Sequence, residues 1–170
     1  TGGFSVKDLS IGEYQNPYFE YVIGAFMVIF GVNFNVYHLI LCGHVLKALK
    51  SEELRWYLSI IAASVAVIAV NIYSLYGTVS EAVRHSFFQV ASIISTTGFA
   101  TTDFNLWPPL SKTILVLLMF VGSCAGSTGG GIKVGRIIML VKNGIREIRY
   151  IIHPHSVISV QYEGKKADHE

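Results

Sequence analysis

Two short turns in this chain are built from residues that present backbone oxygen without bulk: Thr1-Gly2-Gly3-Phe4 and Thr96-Thr97-Gly98-Phe99. Gly98 can adopt positive φ, which lets neighbouring carbonyls turn inward. Thr96 and Thr97 add two further carbonyls, and Phe99 packs behind them as a spacer. Carbonyls gathered in this way can replace the water shell of a dehydrated cation. No carboxylate lies within the turn. Its ligand is then held by dipoles, which favours a large, weakly hydrated monovalent ion over a divalent one.

A lone Thr-Thr-Gly-Phe is an ordinary surface turn; its setting argues for more. TGGFSVKDLS at residues 1–10 and TTGFATTDFN at residues 96–105 share Thr, Gly, Phe and Asp in the same order. Each is followed by an apolar segment with a similar interior, FMVIFG at 26–31 and LLMFVG at 117–122. That sets Gly31 against Gly122, with Met27 and Met119 within one position of each other. Ordered matches of this kind mark internal repeats. The repeating unit reads as outer helix, short re-entrant helix, Thr/Gly turn and inner helix. The chain holds the back half of one unit, one whole unit and the start of another. It opens inside a motif with no signal-peptide pattern, and is expected to be a fragment.

The elements that must position these turns are apolar. Only 14% of the residues are charged, against about 25% in soluble domains. Charged side chains are absent from 21–46, 56–80 and 113–132, and each interval reaches the roughly 20 residues that a bilayer-spanning helix needs. The fold expected is an all-α integral membrane protein with repeated pore-like units. Residues 1–46 hold a turn and an inner helix from Pro17 to about Leu46, and 47–55 form a charged connection. Residues 56–141 are a complete unit: outer helix 56–77 with aromatics Trp56, Tyr57, Tyr73 and Tyr76 near its ends, short helix 80–95, turn 96–101, and interrupted inner helix 108–141. Residues 142–170 are an amphipathic surface segment and the start of the next unit. Ser80 is a candidate cap for the short helix. That helix rises only about 22 Å, too little for a crossing. Placing the turns on one side leaves Lys7, Arg84 and Lys112 there. The other side receives Lys47, Lys50, Arg55, Lys133, Arg136, Lys142, Arg146, Arg149, Lys165 and Lys166. This bias puts the turns outside and the basic segments in the cytoplasm.

The interruption at 122–131 contains Gly122, Ser123, Gly126, Gly129, Gly130 and Gly131. It fails the Walker pattern, because Ile132 precedes Lys133 and Val134 replaces Ser or Thr. Three consecutive glycines cost a helix about 1 kcal/mol each, so an unwound segment facing the pore is expected. The net charge of +2 gives no nucleic-acid footprint. Cys42 and Cys124 read as buried reduced thiols. The histidines His38, His44, His85, His153, His155 and His169 show no metal spacing beyond a loose His153/His155 pair. Asp103 either draws cations to the mouth or caps a loop, and Arg146 and Arg149 suit anionic lipid or a cytoplasmic partner. No nucleophile–base–orienter set appears, so no enzyme activity is expected.

STTGFATTDFNLWP followed by GSCAGSTGGGIKVGRI resembles the third pore repeat of the bacterial Trk/Ktr potassium-uptake family, and TGGF resembles the end of that family's second filter turn. The similarity covers essentially the whole chain. It implies four linked pore units, with Thr1, Gly2, Gly3, Thr96, Thr97, Gly98 and Phe99 supplying two quarters of a potassium filter and K+ bound at Thr96, Thr97 and Gly2. Ser5 and Ala100 stand where TVGYG-type filters have a second glycine, a departure that admits rubidium or sodium. The resemblance also implies that 122–131 is an intramembrane gate, and that the protein is a homodimer in the bacterial cytoplasmic (inner) membrane. It further implies a cytoplasmic nucleotide-binding regulatory subunit, with no cofactor on this chain. The competing readings are a broken-helix secondary cation symporter and a non-transporting assembly subunit. If the glycine run is the gate, replacing Gly129, Gly130 and Gly131 with Ala changes ion flux while leaving ion selectivity intact. Unchanged flux in the triple variant would remove that role.

Overall fold

The computed structural model describes residues 5, 10–152, 161–162 and 165–166. Seven α-helices follow in order among them: α1 (Pro17–Phe30), α2 (Phe34–Leu41), α3 (Val45–Leu49), α4 (Glu52–Tyr76), α5 (Val79–Ile94), α6 (Pro109–Phe120) and α7 (Val134–Ile152). Single 3-10 turns occupy Ser10–Tyr14 and Phe104–Leu106. The sole departure from an all-α fold among the described residues, apart from an isolated bridge, is a two-residue antiparallel ladder, β1 (Gln161–Tyr162) with β2 (Lys165–Lys166).

α4 is the frame. Its 25 residues make it the one described helix that is long and apolar enough to cross a bilayer unbroken. Ser51 accepts a hydrogen bond from the Leu54 N–H at its start, and Gly77 ends it in the left-handed conformation. α5 packs against α4 and α1. Nine of its 16 residues are buried, so it is an interior helix rather than a lipid-facing one. At 1.5 Å per residue it rises about 24 Å, short of the hydrocarbon thickness. Thr78, not Ser80, stands at its N-cap, and no side chain bonds there. Ser80 falls inside the first turn.

The expected continuous inner helix from Pro17 to Leu46 does not form. It breaks after Phe30, and α1 and α2 meet at a bend of 91°. The cause lies in packing. Tyr57 comes from α4 fully buried and donates its hydroxyl to the Val28 carbonyl, 3.2 Å away. A Cβ on Gly31 would overlap that hydroxyl. Asn33 then restarts the chain by capping α2, its side chain accepting from the Asn35 N–H at 2.9 Å. Tyr57 is thus a core residue rather than an interfacial aromatic. The same break leaves Cys42 exposed, while Cys124 is buried; both are free thiols. The second inner helix is interrupted as expected, but α7 runs unbroken from Val134 to Ile152, so the amphipathic segment begins at 134 rather than 142.

α1 and α6 share a plan. Each has a proline in its first turn, Pro17 and Pro109, where no N–H is needed. Each stops at the matched glycines, Gly31 directly after α1 and Gly122 two residues after Phe120. Gly31→Ala should destabilise the fold by about 1–3 kcal/mol through overpacking. Tyr57→Phe vacates the overlapped oxygen. In thermal unfolding of the detergent-solubilised protein, the double variant should therefore lose less than the sum of the single variants. Strict additivity would show that the Tyr57 hydroxyl does not set the break.

Candidate functional site

The turn leaves the carboxyl end of α5, and its backbone is fixed by that end. Thr96 N–H donates to the Ile93 carbonyl at 3.0 Å, and Thr97 N–H to the Ser92 carbonyl at 2.9 Å. The helix side chains finish the work. Ser92 Oγ donates to the Phe99 carbonyl at 2.6 Å, and Ser95 Oγ to the Ala91 carbonyl at 2.6 Å. Ser95 Oγ also lies 2.8 Å from Thr97 Oγ1. Thr96 and Gly98 both have positive φ, 55° and 80°. Glycine makes the second inexpensive. The first is unusual for a β-branched residue and costs on the order of 1–3 kcal/mol.

The destination of each carbonyl separates the turn into two parts. The Phe99 carbonyl is held by Ser92, and the Ala100 carbonyl accepts from Ile11 N–H (3.1 Å) and Gly12 N–H (3.3 Å). Ala100 N–H in turn donates to Ser10 Oγ at 3.2 Å. Residues 10–12 follow the first turn, so the two repeats are stitched together here. Among the described residues, the carbonyls of Thr96, Thr97 and Gly98 accept no hydrogen bond. Phe99 is therefore not placed as a carbonyl ligand. Its ring packs with Met27, Phe88 and Ala91, as a spacer would. Thr1, Gly2 and Gly3 lie outside the described residues. A cavity of about 330 Å³ is lined by Ser95 and Thr97 of the turn, Thr128 of the glycine-rich segment, and α1.

The glycine-rich segment is a closed loop directly against the turn. Its neck is a parallel bridge between Val121 and Ile132, with Gly122 N–H donating to the Ile132 carbonyl (2.8 Å) and Ile132 N–H to Phe120 (3.1 Å). Ser123 Oγ donates to the Ile94 carbonyl at the end of α5, 2.9 Å away. Gly130 N–H donates to Thr96 Oγ1 at 2.9 Å. Gly126 and Gly131 need positive φ, and a Cβ on Gly129 would overlap Ser123. Cys124 N–H donates to the Gly31 carbonyl at 3.0 Å, so the loop docks in the break between α1 and α2. Lys133, counted as a cytoplasmic charge, folds back instead. Its ammonium donates to the carbonyls of Ser127 and Gly129.

Polar residues brace the other end of α5. Arg84 Nε lies 3.2 Å from the Glu20 carboxylate of α1, and His85 Nδ1 lies 3.2 Å from Thr101 Oγ1 beyond the turn. The His85 ring packs on Tyr76, whose hydroxyl accepts from Trp107 Nε1 at 3.2 Å. Asp103 accepts from Asn105 N–H at 2.9 Å and caps a 3-10 turn. Arg146 pairs with Glu147 at 3.0 Å. His153, His155 and His169 lie outside the described residues, within which no cluster of three His, Cys, Asp or Glu side chains occurs. Sequence reasoning missed Glu53, Lys133 as a loop ligand, and the left-handed Thr96. The acids at the start of α4 were visible but the burial of Glu53 was not, and nothing in the composition marks the left-handed Thr96.

Residues 1–169 match the TrkH family, described as a cation transport protein. The Trk system potassium uptake protein TrkH of Escherichia coli (strain K12) is 35% identical over 163 residues, covering 94% of this chain and 34% of that protein. TrkG of the same strain is 36% identical over 170 residues, covering 96% and 34%. The crystal structure of the potassium transporter TrkH from Vibrio parahaemolyticus aligns with a TM-score of 0.88 at 32% identity, over 95% of this chain and 36% of that one. The chain thus spans about a third of the length of these relatives, and it belongs to the TrkH family of cation transport proteins.

Proposed function

We propose that this chain takes part in potassium transport across the cytoplasmic membrane, with Thr96, Thr97 and Gly98 as one quarter of the ion filter and Thr1, Gly2 and Gly3 in a second quarter. The observation that carries the reading is the sorting of carbonyls. Those of Phe99 and Ala100 are tied back, whereas those of Thr96–Gly98 accept nothing among the described residues. Unpaired backbone oxygen is tolerated at membrane depth when it lines a watery path. Left-handed residues at alternate positions, 96 and 98, favour carbonyls turned to a common side. The potassium uptake named for the relatives supports the choice of ion.

The loop at 122–131 is the gate in this reading, because it packs under the turn through Gly130 and Ser123. The turn faces outward and the basic segments face the cytoplasm. The reading includes a homodimer and a cytoplasmic nucleotide-binding regulatory subunit. K+ is cargo, not a resident cofactor.

The full-length protein should restore growth of a potassium-uptake-deficient cell at low potassium, and Gly98→Ser should abolish it at equal membrane abundance. Growth unchanged by that substitution would remove the turn from the ion path. The contact between loop and turn revises what the glycine variants should do. Gly131→Ala, strained at φ 73° with its Cβ against Gly122 and Phe120 rather than the turn, should change rubidium flux and leave the rubidium-to-sodium ratio fixed. Gly129→Ala pushes Ser123 away from Ile94 and should alter both. Thr96→Val removes the acceptor of Gly130 N–H at a cost of about 1–3 kcal/mol, and it should lower rubidium uptake more than Thr96→Ser, which keeps the hydroxyl. Equal uptake by the two variants would show that this bond is idle.

A further inference from the structure

Glu53 is a carboxylate at the start of α4 that is only 3% exposed. Its two oxygens collect donors from three separate segments. Oε1 accepts from Ala125 N–H at 2.6 Å, within the loop, and from Gly135 N–H at 3.1 Å, in the first turn of α7. Oε2 accepts from Asn33 Nδ2 at 3.2 Å, at the break between α1 and α2. A carboxylate there also faces the positive end of α7. The preceding residue, Glu52, pairs with Lys142 two turns further along α7, at 2.6 Å. α4 therefore grips α7 at two levels and the loop at one.

We propose that Glu53 is a positioning residue that latches the loop under the turn and ties its release to movement of α7 or of the cytoplasmic end of α4. The proposal rests on reading the loop as a gate. Ala125 in the loop and Gly135 in α7 share one oxygen of Glu53, so the loop cannot withdraw without losing the bond at Ala125 or drawing the Glu53 end of α4, and α7 with it, along. The Lys133 ammonium acts differently, because it braces the loop internally through Ser127 and Gly129 and moves with it. Geometry makes the carboxylate hard to replace. Asn33 cannot flip its amide to suit a glutamine, since Asn33 Oδ1 already caps α2 through Asn35 N–H. Glu53→Gln therefore sets two amide donors against each other, or turns one against Ala125 and Gly135.

Cys124 is a built-in reporter. It lies in the loop one residue from Ala125 and is fully buried, so its thiol reacts only when the loop opens. The experiment uses the full-length protein in native membranes, with every other cysteine, Cys42 included, replaced by serine. Labelling of Cys124 by a soluble maleimide and rubidium uptake against sodium are measured for the wild type, Glu53→Gln and Glu53→Ala. Both variants should label at least about tenfold faster, the scale of one lost charged hydrogen bond. Rubidium flux should rise with an unchanged rubidium-to-sodium ratio. Where Glu53→Ala does not accumulate, Glu53→Gln decides. Unchanged labelling, lowered flux or a changed ion ratio each overturns the latch. The two ideas fail separately. Faster labelling in a protein whose wild type carries no rubidium keeps the latch and removes the transport reading, and a conducting wild type with unmoved labelling does the reverse.

Discussion

The constraint on which this structure depends is that hydrocarbon offers no partner for a backbone N–H or carbonyl. Each one left alone there costs several kcal/mol. Helices meet the constraint internally, but a turn and a glycine loop at membrane depth do not. The chain meets it with specific donors and acceptors. Gly122 and Ile132 zip the neck of the loop, and Cys124 N–H finds Gly31. Ala125 and Gly135 find Glu53, and Gly130 finds Thr96. Among the described residues the carbonyls of Thr96, Thr97 and Gly98 accept no such bond, while the next two in the turn are tied back, and that run of three is the feature that calls for a ligand.

That accounting also joins two segments that the sequence keeps apart. Read as sequence, the Thr/Gly turn and the glycine run stand some 25 residues apart and look separable. In space, Thr96 Oγ1 accepts from Gly130 at 2.9 Å, and Ser123 bonds the last carbonyl of α5. Thr96 is also the strained residue of the turn, at φ 55°. Strain of on the order of 1–3 kcal/mol persists only where surroundings over-determine it. The Gly130 bond is one of those surroundings, so the state of the loop bears on the conformation of the turn.

Much of the architecture was legible. The charge-free interval after Arg55 foretold α4 to within a few residues, and the short span 80–95 foretold α5 as a helix that stops early. Periodicity and hydropathy report what faces lipid or core. They are silent on where backbone bonds go, and that is where reading failed. The interval 21–46 looked continuous because Gly31, Val32 and Asn33 carry no charge, yet a glycine under Tyr57 and an asparagine cap make a 91° bend there. Tyr57 looked interfacial by position, but its partner lies 29 residues earlier in the chain. Glu53 was hidden in a charged connection, where a solvated acid is the ordinary expectation. Its burial follows from N–H donors more than 70 residues away, which no local pattern encodes.

The repeat explains why the two breaks need each other. Gly31 and Gly122 are matched in sequence, and both inner helices stop there, but the breaks have different lengths. The first is a three-residue kink, and the second opens into a loop. The kink frees carbonyls at the end of α1, and the loop supplies their donors, Cys124 N–H to Gly31 and Thr128 Oγ1 to Phe30. A loop that simply withdrew would take the partners from these carbonyls and from the N–H groups of Ala125 and Gly130. In the proposed gate, water takes over those bonds as the loop withdraws, which hydrates the space beneath the turn. On that reading, the hydrogen bonds that hold the loop against the turn when docked make a wetted path the accessible alternative when it leaves.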